Sequence, residues 1–315
     1  MLARLALTAA LALLAVRCDG APPAPVPPSP AAQPAITSGC QSADRLEPGT
    51  HRLAHDGLSR RFLLALPNGD GPHPLILDLH GLNSTAARQN AYSRLAEHGT
   101  RRGYIVATPQ AADGRMGWTL PRTAGPDDTG FLTALLAHLE RRLCVRADRQ
   151  FAAGMSYGAA MATGLICALD GRLSAVAAVA GINIARPCKP PAPTTIIAFH
   201  GTDDRIVPYD GGHPFRDATG DLRKLADLIV LDPVGRATAG WADLLGCTGP
   251  ATTTPAPRVR LHDWTCPGAT LRLYTVADGG HTWPGAMPVP RLGHTTRDLD
   301  ATRLILDAFD RAPSR

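Results

Sequence analysis

One serine stands between two glycines in the segment FAAGMSYGAAM, residues 151–161, and it is the first candidate for chemistry. The run Gly154-Met155-Ser156-Tyr157-Gly158 matches G-x-S-x-G, a pattern that places a serine on a sharp turn between a strand and a helix. Glycine is needed on either side because larger side chains would collide with the crossing chain. The backbone N–H of Tyr157, at the start of the helix, is then placed to bind an oxyanion. A glycine-flanked turn without function is the alternative interpretation.

A serine hydroxyl is a weak nucleophile and needs a base, which in turn needs an orienting carboxylate. With this type of serine turn the chain order is serine, acid, histidine. Asp204 in FHGTDDRIVPY is the favoured acid, with Asp203 as the fallback, and His281 in DGGHTWPG is the base. An aspartate there could instead cap a helix, and a loop histidine could simply be exposed. The order of the three features, each just beyond a predicted strand, predicts a hydrolytic triad of Ser156, Asp204 and His281.

Three further residues are candidates for contact with the substrate. LHGLNST, residues 79–85, follows an early predicted strand, where the backbone N–H of Leu82 is the candidate second oxyanion donor. His80 is placed beside the substrate, although its early position favours a structural role over a catalytic one. Trp283 follows the predicted base and could stack on a sugar or an aromatic ring. The alternative for Trp283 is a core position in a proline turn.

The elements that must position these residues alternate between strand and helix patterns. This alternation predicts an α/β fold, a mostly parallel sheet with helices on both faces, in which the working groups lie at the carboxyl ends of the strands. Strands are predicted at 60–67, 73–81, 104–109, 149–154, 173–181, 194–201 and 271–280, and helices at 127–143, 156–169 and 298–309. Residues 210–232 could form either a lid over the site or a surface excursion.

Composition indicates a single exported domain. The chain has 315 residues, 44% hydrophobic, and a formal charge of +5 without a dense basic run, so nucleic acid is not an expected partner. Residues 1–20 are predicted to be a signal peptide, residues 21–39 a Pro/Ala-rich linker, and residues 40–315 one catalytic domain that is extracellular. A lipid anchor at Cys18 would tie the chain to a membrane. It is less favoured than simple secretion, because Arg17 stands where lipoprotein signals carry a small residue.

Cysteine usage agrees with export. Removal of Cys18 with the signal leaves six cysteines, an even number that suits an oxidising compartment and allows fifteen pairings. Closeness in sequence favours Cys167–Cys188 and Cys247–Cys266, which leaves Cys40–Cys144. No CxxC spacing occurs, so a zinc or redox centre is not expected. The predicted triad requires neither a metal nor an organic cofactor.

Together, LHG, DDTGF, GMSYG, HGTDDRIVPY and GGHTWPG resemble the secreted polyhydroxybutyrate depolymerase-like esterases, which include the feruloyl esterases. The resemblance covers residues 40–315 and implies an α/β-hydrolase fold, with Ser156 as nucleophile, Asp204 as triad acid and His281 as base. It also implies the Cys247–Cys266 disulfide. The expected substrates are feruloyl or acetyl esters of plant polysaccharide, or 3-hydroxyalkanoate esters.

The chain departs from this family at two places. Ala159 follows Gly158 where relatives often have a second glycine, and Leu82 and Asn83 stand where the oxyanion loop often has cysteine or glycine. The second departure bears on substrate class more than on activity. Two other functions are weighed against an esterase: a serine peptidase of the same fold, and a surface-binding protein without activity, against which the intact triad argues.

Overall fold

Ten strands form one sheet in the computed structural model, which describes residues 36–315. Their order across the sheet is β1-β2-β4-β3-β5-β6-β7-β10-β9-β8. In chain order the strands are β1 Gly49–His55, β2 Leu58–Ala65, β3 His73–Leu79, β4 Ile105–Pro109, β5 Val145–Met155, β6 Leu173–Val179, β7 Thr195–Gly201, β8 Thr248–Ala256, β9 Val259–Cys266 and β10 Ala269–Val276.

Six strands in the middle of the sheet run parallel to one another, in the order β4, β3, β5, β6, β7 and β10. Every residue of β4, β6 and β7 is buried, as expected for continuous apolar strands covered on both faces. The predicted mostly parallel sheet is confirmed.

Within residues 36–315, seven α-helices accompany the sheet: α1 Ala86–Ser93, α2 Leu95–Arg101, α3 Asp128–Arg142, α4 Tyr157–Ala168, α5 Gly220–Ala226, α6 Val234–Leu245 and α7 Ala301–Arg311. Helices α3, α4 and α6 contribute to one hydrophobic cluster, and α2 and α7 to a second cluster on the other face. Helices therefore cover both faces of the sheet, as predicted. The two clusters fix the sheet in place, and the loops after β3, β5, β7 and β10 meet at one edge of it.

The antiparallel strands at both ends of the sheet are additions to the sequence prediction. Strands β1, β8 and β9 were not expected, and β2 pairs antiparallel with β4. The reason is clearest for β8, which contains two prolines and is exposed along nearly its whole length. Such a segment reads as a loop, although an edge strand tolerates proline.

Contacts with the sheet are present just before the predicted domain boundary. Ile36 forms a β-bridge with Arg146, and the Thr37 N–H donates to the Val145 carbonyl at 3.1 Å. The division of the chain at residue 40 stays a prediction. The predicted signal peptide, Cys18 and most of the predicted linker lie outside the described residues. None of the helices within residues 36–315 is long and apolar enough to cross a membrane.

Three disulfides join the six remaining cysteines. They are Cys40–Cys144, Cys167–Cys188 and Cys247–Cys266, the pairing that sequence spacing favours. The first ties the 3-10 helix Ser38–Gln41 to the end of α3. A set of three disulfides is typical of proteins that mature in an oxidising compartment.

Candidate active site

Ser156 is held in a strained conformation between β5 and α4. Its backbone has φ +56° and ψ −122°, an unusual region for a residue with a side chain. The Ser156 N–H donates to the Val179 carbonyl at 2.8 Å, which ties the turn to the neighbouring strand β6. The turn leaves the serine half-buried at the carboxyl end of β5.

The two flanking glycines are required by close backbone contacts. A Cβ added to Gly154 would lie 2.3 Å from the Gly158 carbonyl oxygen, and one added to Gly158 would lie 2.1 Å from the Leu79 carbonyl oxygen. Neither backbone atom can move without disturbing the sheet. The departure at Ala159 is accommodated, because its methyl group is fully buried in the core.

His281 and Asp204 form a buried pair beyond the ends of β10 and β7. His281 Nδ1 donates to Asp204 Oδ2 at 2.8 Å. The other carboxylate oxygen, Oδ1, accepts the N–H groups of Ile206 at 2.9 Å and Val207 at 2.8 Å. Asp204 is 1% exposed and His281 5%. The carboxylate is therefore held in one orientation and directs one nitrogen of the imidazole.

Asp204 is ionised despite its burial. Burial by itself raises the pKa of this carboxyl, but electrostatic attraction to the His281 ring and hydrogen bonds from His200 and His281 outweigh it and hold the pKa below its usual range. His200 lies beneath the pair, with Nε2 3.3 Å from Asp204 Oδ2 and 2.8 Å from the Val207 carbonyl oxygen. Asp204, rather than the exposed Asp203, therefore contacts the histidine.

A cavity of about 320 Å³ brings Ser156 and His281 together. Its walls come from the loop after β3, from α1 and from residues 287–292. The lining is mostly apolar and includes two arginines; its residues are Gly81, Leu82, Asn83, Ser84, Arg88, Gln89, Ala91, Tyr92, Met155, Ser156, His281, Met287, Val289, Arg291 and Leu292. We refer to it as the Ser156 cleft.

Two backbone amides are available beside Ser156. Tyr157 is the first residue of α4, so its N–H has no acceptor within the helix. Leu82 borders the Ser156 cleft, and within residues 36–315 its N–H donates to no backbone carbonyl. A Cβ on Gly117 would contact the side chains of both residues, at 3.0 Å from Leu82 and 3.1 Å from Tyr157, so the two lie close together. An oxyanion near Ser156 Oγ could accept from both amides.

His80, a predicted substrate contact, is buried and does not line the Ser156 cleft. The ring is 1% exposed, and Nδ1 donates to the Gly81 carbonyl at 2.9 Å. Nε2 accepts the Ala111 N–H at 3.1 Å and lies 3.1 Å from Gln110 Nε2. Burial lowers the pKa of His80, in keeping with a neutral ring that accepts at Nε2. Its role is to hold the loop after β3.

Trp283, the other predicted substrate contact, does not line the Ser156 cleft. The side chain is 1% exposed and packs in the core cluster with α7. Its Nε1–H donates to Thr302 Oγ1 at 3.0 Å, and Thr302 donates in turn to the Ser93 carbonyl at 2.6 Å. The core position is the correct alternative, and the ring anchors the loop that carries His281.

The segment 210–232 is a surface excursion and not a lid. None of its residues lines the Ser156 cleft. It is closed on itself by a β-bridge between Gly212 and Leu231 and contains the short helix α5. Asn183 Nδ2 donates to the Asp232 carbonyl at 2.9 Å and fastens the end of the excursion to the domain.

The sequence prediction missed most of the cleft wall. Met287, Val289 and Leu292 lie after the predicted base, in a segment without periodicity, and Arg88 lies on a helix with a weak apolar pattern. The only available signal was the closeness of 287–292 to His281 in sequence. Within residues 36–315 no group of histidine, cysteine and acidic side chains is arranged to hold a metal ion.

A buried carboxyl supports the α1 wall of the cleft. Asp78 in β3 is fully buried; Oδ1 accepts from Gln89 Nε2 at 2.7 Å and Oδ2 from Ser93 Oγ at 2.6 Å. Burial raises the pKa of Asp78 to about 6 from an ordinary value of 3.8, against the opposing effect of the two hydrogen bonds. Between these values the folded chain binds more protons than the unfolded chain. The free energy of unfolding therefore falls as pH rises through this window.

We expect Asp78→Asn to stabilise the protein above about pH 7, because it removes the ionisation and keeps a polar side chain. The gain is about 1–3 kcal/mol, and it should vanish near pH 4, where Asp78 is protonated. Urea denaturation of the oxidised protein at both pH values measures it. Asp56→Asn, at an exposed turn, is the matched control. An unchanged pH dependence in Asp78→Asn would contradict the expectation.

Comparison with known proteins supports the predicted resemblance. Feruloyl esterase B of Piromyces equi is 29% identical over 240 residues, which cover 70% of this chain and 42% of that protein, so the chain spans less than half of that relative. A protein named "Probable feruloyl esterase C" from Aspergillus flavus is 26% identical over 227 residues, covering 69% of this chain and 81% of the relative. No protein-family model matches the chain.

Among solved structures, the acetyl xylan esterase from Aspergillus awamori has the same fold. It superimposes with a TM-score of 0.58 at 12% sequence identity, over 83% of this chain and 99% of that one. This likeness confirms the predicted α/β-hydrolase fold. In sequence the chain is similar to proteins named feruloyl esterase, and in fold it is similar to this acetyl xylan esterase.

Proposed function

We propose that the chain hydrolyses carboxylic esters through an acyl-enzyme formed on Ser156. The observation that carries this proposal is the meeting of the strained serine turn and the buried His281–Asp204 pair at one cleft. Relatives named feruloyl esterase support it. The proposed substrates are feruloyl or acetyl esters of polysaccharide, with 3-hydroxyalkanoate esters as the alternative class.

Acylation requires a proton to leave Ser156 Oγ as it attacks the ester carbonyl carbon. His281 Nε2 takes that proton, and it can do so because Nδ1–H is already bound to Asp204. Among the described hydrogen bonds, the His281 side chain makes only the one to Asp204. The bond from Ser156 Oγ to Nε2 is expected to form in the substrate complex, as is common for catalytic contacts.

The oxyanion that develops on the carbonyl oxygen is held by the N–H groups of Leu82 and Tyr157. A donor of this kind stabilises the transition state by about 3 kcal/mol. The alcohol leaves with the proton from His281. Water then attacks the acyl-enzyme, with His281 again as the base, and regenerates Ser156.

We further propose that the protein acts outside the cell. The three disulfides and the predicted signal at residues 1–20 support an exported enzyme. The substrate would then be met in the medium or on a cell wall.

Labelling with a fluorophosphonate tests the nucleophile directly. We expect the reagent to inactivate the enzyme and to add one phosphonyl group, which peptide mass spectrometry places on Ser156. An excess of 4-nitrophenyl butyrate should slow the labelling, since both compete for the same oxygen. Modification of a different serine, or full activity after labelling of Ser156, would overturn the proposal.

A further inference from the structure

The Ser156 cleft carries positive charge without any carboxylate to balance it. Arg88 comes from α1, and Arg291 from the 3-10 helix Pro290–Leu292 after the base loop. No aspartate or glutamate stands among the residues that line the cleft. Two elements far apart in sequence thus each contribute an arginine to the wall of one cavity.

Neither arginine forms an ion pair in the described part of the chain. Within residues 36–315 no carboxylate lies within 4.0 Å of Arg88 or Arg291, whereas Arg94 and Arg102, on or beside the neighbouring helix α2, are paired with acidic residues. Arg88 makes one long hydrogen bond, 3.4 Å, to the Asn83 carbonyl. Both arginines are exposed. Their charged groups are therefore free to meet a ligand in the cleft.

We propose that this arginine pair binds a free carboxylate on the ester substrate. The inference rests on the proposed ester hydrolysis and narrows its substrate to esters with an anionic group near the scissile bond. A guanidinium group donates two parallel hydrogen bonds to a carboxylate, a geometry that lysine cannot supply. A cleft lined by one sign of charge also concentrates ligands of the opposite sign.

Two kinds of ester present such a carboxylate. A 3-hydroxyalkanoate oligomer ends in one, and a sugar ester on an acidic polysaccharide has one on each neighbouring uronate. In both, the carboxylate stands on the part of the molecule that departs as the alcohol. Either carboxylate would bind the two arginines in the same way. Matched substrates therefore distinguish whether the carboxylate comes from a hydroxyalkanoate or from a uronate.

The experiment compares each ester with its carboxylate free and with the same group converted to a primary amide. One pair is the hydroxybutyrate trimer, and the other is an acetylated galacturonate disaccharide. We expect the wild type to prefer the acid by about tenfold in kcat/KM in at least one pair, since each exposed ion pair contributes a factor of a few. In the double variant R88Q/R291Q the preference should fall to within about twofold.

Two controls separate this effect from a general loss of charge. Arg297→Gln removes an exposed arginine that lies outside the Ser156 cleft, and it should keep the wild-type preference. Raising the ionic strength should shrink the preference of the wild type, because salt screens exposed charges. Circular dichroism establishes that the variants are folded.

Equal rates on acid and amide in both pairs for the wild type would overturn the proposal, as would a double variant that keeps the full preference. Failure of the underlying function looks different: neither the acids nor the amides would be hydrolysed. The substrate pair that shows the preference identifies the source of the carboxylate.

Discussion

Replacement of Ser156 with alanine is expected to lower kcat for every ester substrate by a factor on the order of 10⁴ to 10⁶. The change removes the attacking oxygen and leaves only slow attack by water, helped by the Leu82 and Tyr157 amides. The fold should be intact, because the Ser156 turn is held by its backbone bond to Val179 and by the flanking glycines. Hydrolysis of 4-nitrophenyl butyrate and the melting temperature measure the two effects.

Ser59→Ala is the control for this variant, since Ser59 is exposed on β2, away from the cleft. Its activity should match that of the wild type within experimental error. If Ser156→Ala kept a tenth or more of the wild-type rate, Ser156 would not be the nucleophile. The alternative interpretation, a glycine-flanked turn without catalytic function, would then be correct.

Replacement of Asp204 with asparagine is expected to lower kcat by about 10³- to 10⁴-fold with little change in KM. Oδ1 of Asp204 accepts two backbone N–H groups, so the asparagine oxygen must occupy that position. The amide NH₂ then faces His281, whose Nδ1 can no longer donate. The proton moves to Nε2, and the imidazole cannot take a proton from Ser156. Steady-state kinetics on a soluble ester separate kcat from KM.

The neighbouring aspartate provides a matched control. Asp203→Asn makes the same chemical change one residue earlier, at an exposed side chain, and should alter kcat by no more than about twofold. Loss of activity in Asp203→Asn with near-normal activity in Asp204→Asn would reverse the assignment of the acid. Loss in both with a lowered melting temperature would point to damage of the loop after β7.

The central strands and the serine turn could be predicted because a single physical requirement determines the residue types in each of them. A strand covered on both faces is apolar along most of its length, as the segment TIIAFHG of β7 shows. The turn at Ser156 needs glycine at two positions where any Cβ would strike backbone. The expected spacing of serine, acid and histidine then follows from the order of the parallel strands.

The edges of the sheet were less predictable, because an edge strand faces solvent and needs no apolar pattern. Strand β8 contains Pro250 and Pro255 and reads as a loop. The direction in which a loop side chain points is a second feature that the sequence does not predict. Trp283 adjoins His281 in sequence, yet its ring turns into the core and bonds Thr302. Sequence neighbours in a loop carry no periodicity from which a direction could be inferred.

The pairing of two arginines in one cleft is a third feature that the sequence does not predict. Arg88 and Arg291 are ordinary exposed arginines among many in the chain, and nothing in their local sequence sets them apart. Their shared cleft arises only when α1 and the loop after β10 come together. A property that belongs to two distant segments is visible in the folded chain alone.

The anchoring of Trp283 to Thr302, and of Thr302 to the Ser93 carbonyl, makes the position of the base loop depend on α7. The serine turn lies between β5 and α4, whereas Thr302 belongs to α7, Ala301–Arg311. A polypeptide that lacks α7 is therefore expected to carry the proposed nucleophile without a positioned base. The proposed triad thus depends on two separate parts of the fold, and removal of α7 should abolish ester hydrolysis even where the serine turn still forms.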